Sequence, residues 1–192
     1  MSLLPIVRLG NPALRTVAQP VNLDRLPQAD IQRLIDDMVE TMRAVKGVGL
    51  AAPQLGASLQ LFVYELPAER ERRDGSKERQ APIPLRVVVN PMLTQKTGEM
   101  VYDWEGCLSI PDLRGLVPRH PAVRVRGHDR EGRPLDFVAD GFEARIVQHE
   151  FDHLNGVVFL DRMRDFKGLS YTEEWERFLA EDSGRAASTP VG

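Results

Sequence analysis

The stretch QHEFDHLNG, residues 148–156, constrains this chain most, because it sets two histidines four positions apart. Residues at that spacing lie on one face of an α-helix, so His149 and His153 can bind the same ligand. Glu150 completes the His-Glu-x-x-His pattern, in which the histidines bind a metal ion and the glutamate acts as a general base. The pattern predicts a helical metal site. Two histidines that only satisfy neighbouring groups are the alternative.

The flanking residues predict a helix over about 141–154. Asp140 and Glu143 have the spacing of a capping box, and Asn155-Gly156 is typical of a helix end. Apolar residues cover most of the helix circumference, which indicates a buried helix. Buried charge needs partners, since leaving it unpaired costs several kcal/mol or more. The apolar positions are Phe142, Ile146, Val147, Phe151 and Leu154.

Length and patterning predict one domain. A chain of 192 residues with 42% hydrophobic content suits a single core, so we expect a catalytic domain over residues 1–181. The segment 67–84 is dense in charge and proline and predicts an exposed loop, and 182–192 predicts a flexible tail. Strand segments outnumber helical ones. This favours an α+β fold of mostly antiparallel strands around a central buried metal-binding helix, plus an N-terminal and a C-terminal helix.

The other elements follow from periodicity and turn residues. Helices are predicted over 31–45, with Asp30 as the N-cap, and over 172–180. The segment 47–56, GVGLAAPQLG, is too rich in glycine and proline to predict either regular element. Strands are predicted near the start of the chain and at 59–66, 85–90, 93–96, 99–104, 122–129 and 135–140, the last two as a hairpin.

Charge and composition exclude several classes of function. The net charge of -3 and the mixed signs along the chain give no basic face, so direct nucleic-acid binding is not indicated. No apolar run approaches the roughly 20 residues that span a bilayer. A single cysteine cannot form an internal disulfide, which fits a reducing compartment. We therefore expect a cytoplasmic protein.

A catalytic site of this type needs a third protein ligand, and two candidates are open. Cys107, in EGCLSIP, would ligate well as a thiolate, although a lone cysteine among apolar neighbours is more often an inert buried residue. Glu173 follows His153 by twenty residues, a spacing that resembles thermolysin-like zinc endopeptidases. It is equally explained as an acidic residue in the first turn of a helix.

Three stretches together resemble the motifs of the peptide deformylase family, in the same order. They are GVGLAAPQ at 47–54, EGCLSIP at 105–111 and QHEFDHLNG at 148–156, and the resemblance extends over most of the chain. It is to the type 1-like members, and the charged segment at 67–84 is similar to a bacterial or organelle-like subgroup. The resemblance implies removal of the formyl group from the initiator methionine of new proteins. It implies a ferrous ion held by Cys107, His149 and His153.

The resemblance also implies roles for other residues. Glu150 would accept the proton of the attacking water, and the Gln54 amide and the Leu108 backbone N–H would stabilise the oxyanion. From the residues themselves, Val48, Phe142 and Ile146 are candidates for an apolar methionine pocket, with ordinary core positions as the alternative. Three further substrate-binding candidates are Gly49, which would let the peptide lie alongside as an added strand, Gly106, which permits close backbone approach, and Arg114.

Several assignments stay open at this level. Gln54 is as well explained as an exposed amide at a strand edge, and Glu105 with Arg119 as an exposed rather than a buried ion pair. Asp152 is a candidate partner for the ligands. Arg145, one turn before His149, is expected to be a charge on the helix surface, or else to rim the pocket.

The leading hypothesis is a metal-dependent deformylase acting on N-formylmethionyl nascent peptides. The alternatives are an endopeptidase with Glu173 as third ligand and a peptide-binding module without chemistry. Cysteine with two histidines also accommodates Zn²⁺, Ni²⁺ or Co²⁺, so iron rests on the resemblance. A transient contact with the ribosome remains open.

Overall fold

A computed structural model describes residues 3–68, 81–95 and 98–179, which form two antiparallel sheets and three helices. The predicted α+β class is confirmed. The helices are α1 Ala29–Ala44, α2 Gly141–Leu154 and α3 Thr172–Phe178. The strands are β1 Gly49–Ala51, β2 Leu61–Leu66, β3 Ile83–Gln95, β4 Val101–Cys107, β5 Ile110–Arg119, β6 Ala122–His128, β7 Pro134–Asp140 and β8 Leu169–Tyr171.

The two sheets hold the central helix between them. One sheet has the order β1-β2-β3-β6-β7 and the other β4-β5-β8. Helix α2 packs on β1, β2 and β7 of the larger sheet and on β5 of the smaller one. Its inward apolar side chains, Ile146, Val147 and Leu154, join Phe62 and Val88 in one buried cluster. Burial of this helix therefore brings both sheets to its polar residues.

Helix α2 begins and ends where the sequence predicts, but not for every predicted reason. Asp140 is the N-cap without a side-chain capping bond among the described residues, so the capping box is wrong. Glu143 instead accepts a 2.8 Å hydrogen bond from the Tyr64 hydroxyl. At the other end Gly156 has a φ of +70°, the left-handed conformation that favours glycine.

The first helix begins slightly earlier than predicted. Its N-cap is Gln28, and the expected N-cap Asp30 lies in the first turn, where its carboxylate pairs with Arg25 at 2.9 Å. Gln28 makes no side-chain capping bond, so its residue type did not mark the helix start, whereas the acidic Asp30 suits the positive end of a helix from within the first turn. The final helix covers Thr172–Phe178 of the predicted 172–180.

The structure confirms most of the predicted strands. These are β2, the β6–β7 hairpin and, with shifted bounds, the strand predicted at 99–104, which is β4; the two strands predicted at 85–90 and 93–96 form one long strand, β3. The sequence did not predict β5, β8 or β1. The predicted strand at the start of the chain is wrong, since the described part of that segment makes only separate backbone bonds, such as Val7 N–H to the Gln54 carbonyl at 2.9 Å.

Parts of the predicted loop and tail lie outside the described residues. Of the segment 67–84, the residues on either side of 69–80 are described; Pro67 and Pro82 are exposed, and Ile83 and Pro84 already belong to β3. The tail at 182–192 is not described. None of the helices in the described ranges combines the length and apolar composition needed to cross a bilayer.

Candidate metal centre

Three candidate ligands from separate parts of the sequence meet beside α2. Cys107 ends β4, and His149 and His153 project from one face of α2. One potential ligand atom from each residue lies within 4.8 Å of the other two, and the Cys107 Sγ is 3.3 Å from the His153 Nε2. Each of the three residues is at most 9% exposed. One end of strand β4 and one face of helix α2 therefore bring their three ligand side chains into one buried cluster.

The donor set of this cluster fits a transition-metal ion. A thiolate and two imidazoles are suitable ligands for Fe²⁺, Zn²⁺ or Co²⁺, and three protein ligands leave a coordination position for water or substrate. Glu173 is not part of the cluster. Its side chain is exposed on α3, and among the described residues the metal-type grouping contains only Cys107, His149 and His153.

Glu105 orients His149 from behind. Its carboxylate lies 2.9 Å from the His149 Nδ1, which leaves the Nε2 free to face the cluster. Arg119 grips the same carboxylate with two hydrogen bonds of 2.8 and 2.9 Å. Burial would raise the pKa of Glu105, but hydrogen bonds from Arg119 and His149 outweigh it and hold that pKa well below its ordinary value. Glu105 and Arg119 are thus a buried pair, not an exposed one.

Asp152 supports this arrangement indirectly. Its carboxylate accepts hydrogen bonds from Arg119 at 2.6 Å and from Arg162 at 2.6 and 3.0 Å. Arg119 donates to Asp152 through its Nη1 and to Glu105 through its Nε and Nη2, so one guanidinium bonds both carboxylates. Asp152 therefore acts through Arg119, and the described contacts give it no bond to a ligand histidine.

Arg145 departs most from expectation. It is 6% exposed, not a charge on the helix surface, and it donates to the Glu105 Oε1 at 2.8 Å. It also donates to the backbone carbonyls of Val117 and Val101 at 2.9 and 2.8 Å. The sequence analysis missed this because the partners of Arg145 lie about 30 to 45 residues away along the chain, on β4 and β5.

Glu150 is buried beside the cluster in a different state from Glu105. It is 4% exposed, and its Oε2 has no hydrogen-bond partner within the described chain. Burial raises the pKa of Glu150 to about 7. Gly49 of β1 makes room for it, since a Cβ there would overlap the carboxylate, with the Glu150 Cδ only 2.7 Å away. This is a more direct reason for glycine than the added substrate strand expected from the sequence.

Gln54 is fixed at both ends of its amide. It is 1% exposed, not an exposed strand-edge amide, and its Oε1 accepts from the Ala51 N–H at 2.8 Å. Its Nε2 therefore points the other way, 3.6 Å from the Cys107 Sγ and 3.3 Å from the Ser109 Oγ. The sequence analysis did not single out Ser109, which is fully buried two residues after the cysteine.

The remaining predicted residues surround the cluster at different depths. Arg114 is half-buried on β5; its guanidinium lies about 3.4 Å from where a Cβ on Gly106 would be and 4.9 Å from the ring centre of Trp175 on α3. Leu108 is partly buried against the core beside α1. The three proposed pocket residues belong to one core cluster: Ile146 of α2 is 3% exposed, and Phe142 of α2 and Val48 are partly buried against the cluster.

A buried cysteine with two histidines, next to an unpaired carboxylate and a fixed amide donor, defines a metallohydrolase site. Comparison with known proteins specifies the family. Residues 3–168 match the family model for polypeptide deformylase. The chain belongs to this family, whose members are metal-dependent hydrolases that remove the N-formyl group from nascent chains.

Individual relatives agree. Peptide deformylase 2 of Pseudomonas putida is 46% identical over 168 residues, 88% of this chain and 92% of the relative. Peptide deformylase 1 of Nitrosomonas europaea is 41% identical over 169 residues, with coverages of 88% and 92%. The Met-Ala-Ser-bound class I type b peptide deformylase from Acinetobacter baumannii superposes with a TM-score of 0.77 at 37% identity, covering 84% of this chain and 99% of that one. The endopeptidase alternative is unsupported.

Proposed function

We propose that this deformylase binds one Fe²⁺ through Cys107, His149 and His153 and acts on N-formylmethionyl peptides. The observation that carries the proposal is the meeting of these three ligand atoms within 4.8 Å. A divalent metal bound there would make a water molecule nucleophilic at neutral pH and polarise the formyl carbonyl. Iron is preferred over Zn²⁺, Ni²⁺ or Co²⁺ because the family resemblance implies it.

Glu150 is the proposed general base and acid. Its unpaired Oε2 and raised pKa suit a group that takes a proton from the attacking water and then holds it. As the formyl C–N bond breaks, the same carboxyl returns the proton to the leaving nitrogen. The products are formate and a free methionyl amine, so atoms and protons balance.

Gln54 and Leu108 are the proposed oxyanion donors. Because the Gln54 Oε1 is held by the Ala51 N–H, its Nε2 is directed toward the cysteine without further reorganisation. The backbone N–H of Leu108, the residue after Cys107, would supply the second donor. Donors fixed before reaction stabilise the developing charge most effectively.

The substrate peptide is proposed to lie along β1, whose described partner is β2 on one side only. The methionine side chain would enter the apolar region of Val48, Phe142 and Ile146. Gly106 would permit close approach of the peptide backbone, and Arg114 would contact that backbone. Cytoplasmic location, one catalytic domain over residues 1–181 and a transient ribosome contact remain part of the proposal.

The direct test is formate release from formyl-Met-Ala by protein loaded with iron without oxygen. We expect turnover by the wild-type protein and by Glu173→Ala, because Glu173 is exposed and is not part of the ligand cluster. Cys107→Ala should lose metal and activity together. A Cys107→Ala protein with full metal content and wild-type turnover would refute the ligand set.

A further inference from the structure

Arg145 and His149 reach the same carboxylate from successive turns of α2. Residues four apart lie on one helix face, and these two contact different oxygens of Glu105. The Arg145 Nη1 donates to the Oε1 at 2.8 Å, and the His149 Nδ1 lies 2.9 Å from the Oε2. Arg145 is thereby a direct neighbour of the group that orients a proposed metal ligand.

Charge neutralisation alone does not explain this second arginine. Arg119 already provides a positive charge and two hydrogen bonds to Glu105. Burying another guanidinium is costly unless its donors are used, and Arg145 uses them on Glu105 and on the Val101 and Val117 carbonyls. The additional bonds connect α2 to both long strands of the smaller sheet.

That sheet also carries the cysteine. Val101 and Cys107 are the two ends of β4, and Glu105 lies two residues before the cysteine. The guanidinium of Arg145 thus connects the helix that carries the two histidines to the strand that carries the cysteine. A rigid guanidinium with several donors is suited to fixing such a geometry.

We propose that Arg145 is a positioning residue of the metal centre, setting the orientation of Glu105, and through it of His149, relative to the Cys107 strand. The proposal rests on the proposed ligand set. It assigns Arg145 no contact with substrate or metal. Loss of groups that orient metal ligands from behind typically costs roughly tenfold to a hundredfold in metal affinity or activity.

The test compares Arg145→Met with Arg43→Met in the Co²⁺-loaded protein. Arg43 controls for the loss of a two-point bond between an arginine and a carboxylate, because it pairs with Glu65 at 2.6 and 2.7 Å on elements outside the centre; its side chain is more exposed, at 55%. The readouts are the cobalt absorption spectrum, the Co²⁺ dissociation constant by chelator competition, and kcat and KM at saturating metal.

We expect Arg145→Met to shift the cobalt bands, weaken Co²⁺ binding about tenfold or more and lower kcat with little change in KM. Arg43→Met should match the wild type in all three. A wild-type spectrum and affinity in Arg145→Met would overturn the proposal. If the methionine variant does not fold, Arg145→Lys serves instead; it keeps the charge without the fork, and wild-type cobalt binding in it would be equally contrary.

A double variant separates action through Glu105 from general loosening. If Arg145 acts through Glu105, the effects of Arg145→Met and Glu105→Gln on cobalt affinity should be clearly less than additive. Additive effects would overturn the proposal. A wrong ligand set would give a different result from a wrong role for Arg145. If Cys107 were not a ligand, the wild-type protein itself would lack a thiolate-to-cobalt absorption band.

Discussion

At the scale of residues, the two buried glutamates at the centre, Glu105 and Glu150, differ in the groups that surround their carboxylates. Glu105 has Arg119, Arg145 and His149 around its carboxylate, and these contacts favour the charged form. Glu150 has burial without a cation bonded to it among the described contacts, which favours the neutral form. Glu105 is therefore suited to orienting the metal ligand His149, and Glu150 is suited to exchanging a proton.

Glu150→Gln keeps the shape of the side chain but cannot take up a proton. We expect metal to be retained and the rate of formate release to fall about a hundredfold to ten thousandfold, the usual contribution of a general acid–base. Metal content and steady-state kinetics on the same preparation measure both. Near-normal turnover would show that another group transfers the proton.

Gly49→Ala tests the space reserved for this carboxylate. The new methyl group would overlap the Glu150 side chain and displace it, so we expect at least about a tenfold loss of kcat. Gly98→Ala is the control, because its Cβ would meet only Pro121, at an ordinary 3.6 Å. Equal activity in the two variants would contradict the proposed placement.

At the scale of elements, sequence predicted best what is locally encoded. The extent of α2 was predicted from its two ends: Asp140 is the N-cap, although without the expected side-chain bond, and Asn155-Gly156 follows the last helical residue. Strand β5 contains Pro111 and Pro118 and lacks simple alternation, and the three-residue β8 exists only because it pairs with β5. Such elements depend on partners distant in sequence, which local patterns do not encode.

Helix α3 contributes a buried tryptophan that holds Arg114, a proposed substrate-binding residue of β5. Trp175 is 4% exposed, and the Arg114 guanidinium stacks over its ring. Trp175→Leu should raise KM for formyl peptides about threefold to tenfold, with a smaller change in kcat, because the cation–π contact that holds Arg114 is lost. Phe178→Leu, an exposed aromatic on the same helix, should leave KM unchanged. The measurement is KM for a formyl peptide with both variants. Equal KM values would show that α3 does not contribute to substrate binding.

At the scale of the whole molecule, a buried ionic network joins helix α2, which packs between the two sheets, to the smaller sheet. Arg119 on β5 bonds Glu105 on β4 and Asp152 on α2. The sequence identified most residues at the centre through their motifs, and it left the Glu105–Arg119 pair undecided. The sequence could not predict that Arg145 also bonds Glu105, because helix periodicity does not indicate which charged residues of a helix are buried.

Arg119→Met should strongly destabilise the metal-free protein. It removes the two-point partner of Glu105 and one of the two arginines bonded to Asp152, and breaking a buried ion pair from one side typically costs about 3–5 kcal/mol in the free energy of unfolding. Denaturant unfolding measures it. Arg124→Met removes a two-point bond to Asp136 on the exposed hairpin and should shift the midpoint little. Similar small losses in both would mean that the network is not stabilising.

The most direct test of the metal centre is X-ray absorption of the zinc-loaded protein at the metal edge. We predict one sulfur at about 2.3 Å and nitrogen neighbours at about 2.0–2.1 Å, with the sulfur contribution absent in Cys107→Ser. A wild-type spectrum without sulfur, or one whose sulfur persists in that variant, would contradict a centre built from Cys107, His149 and His153.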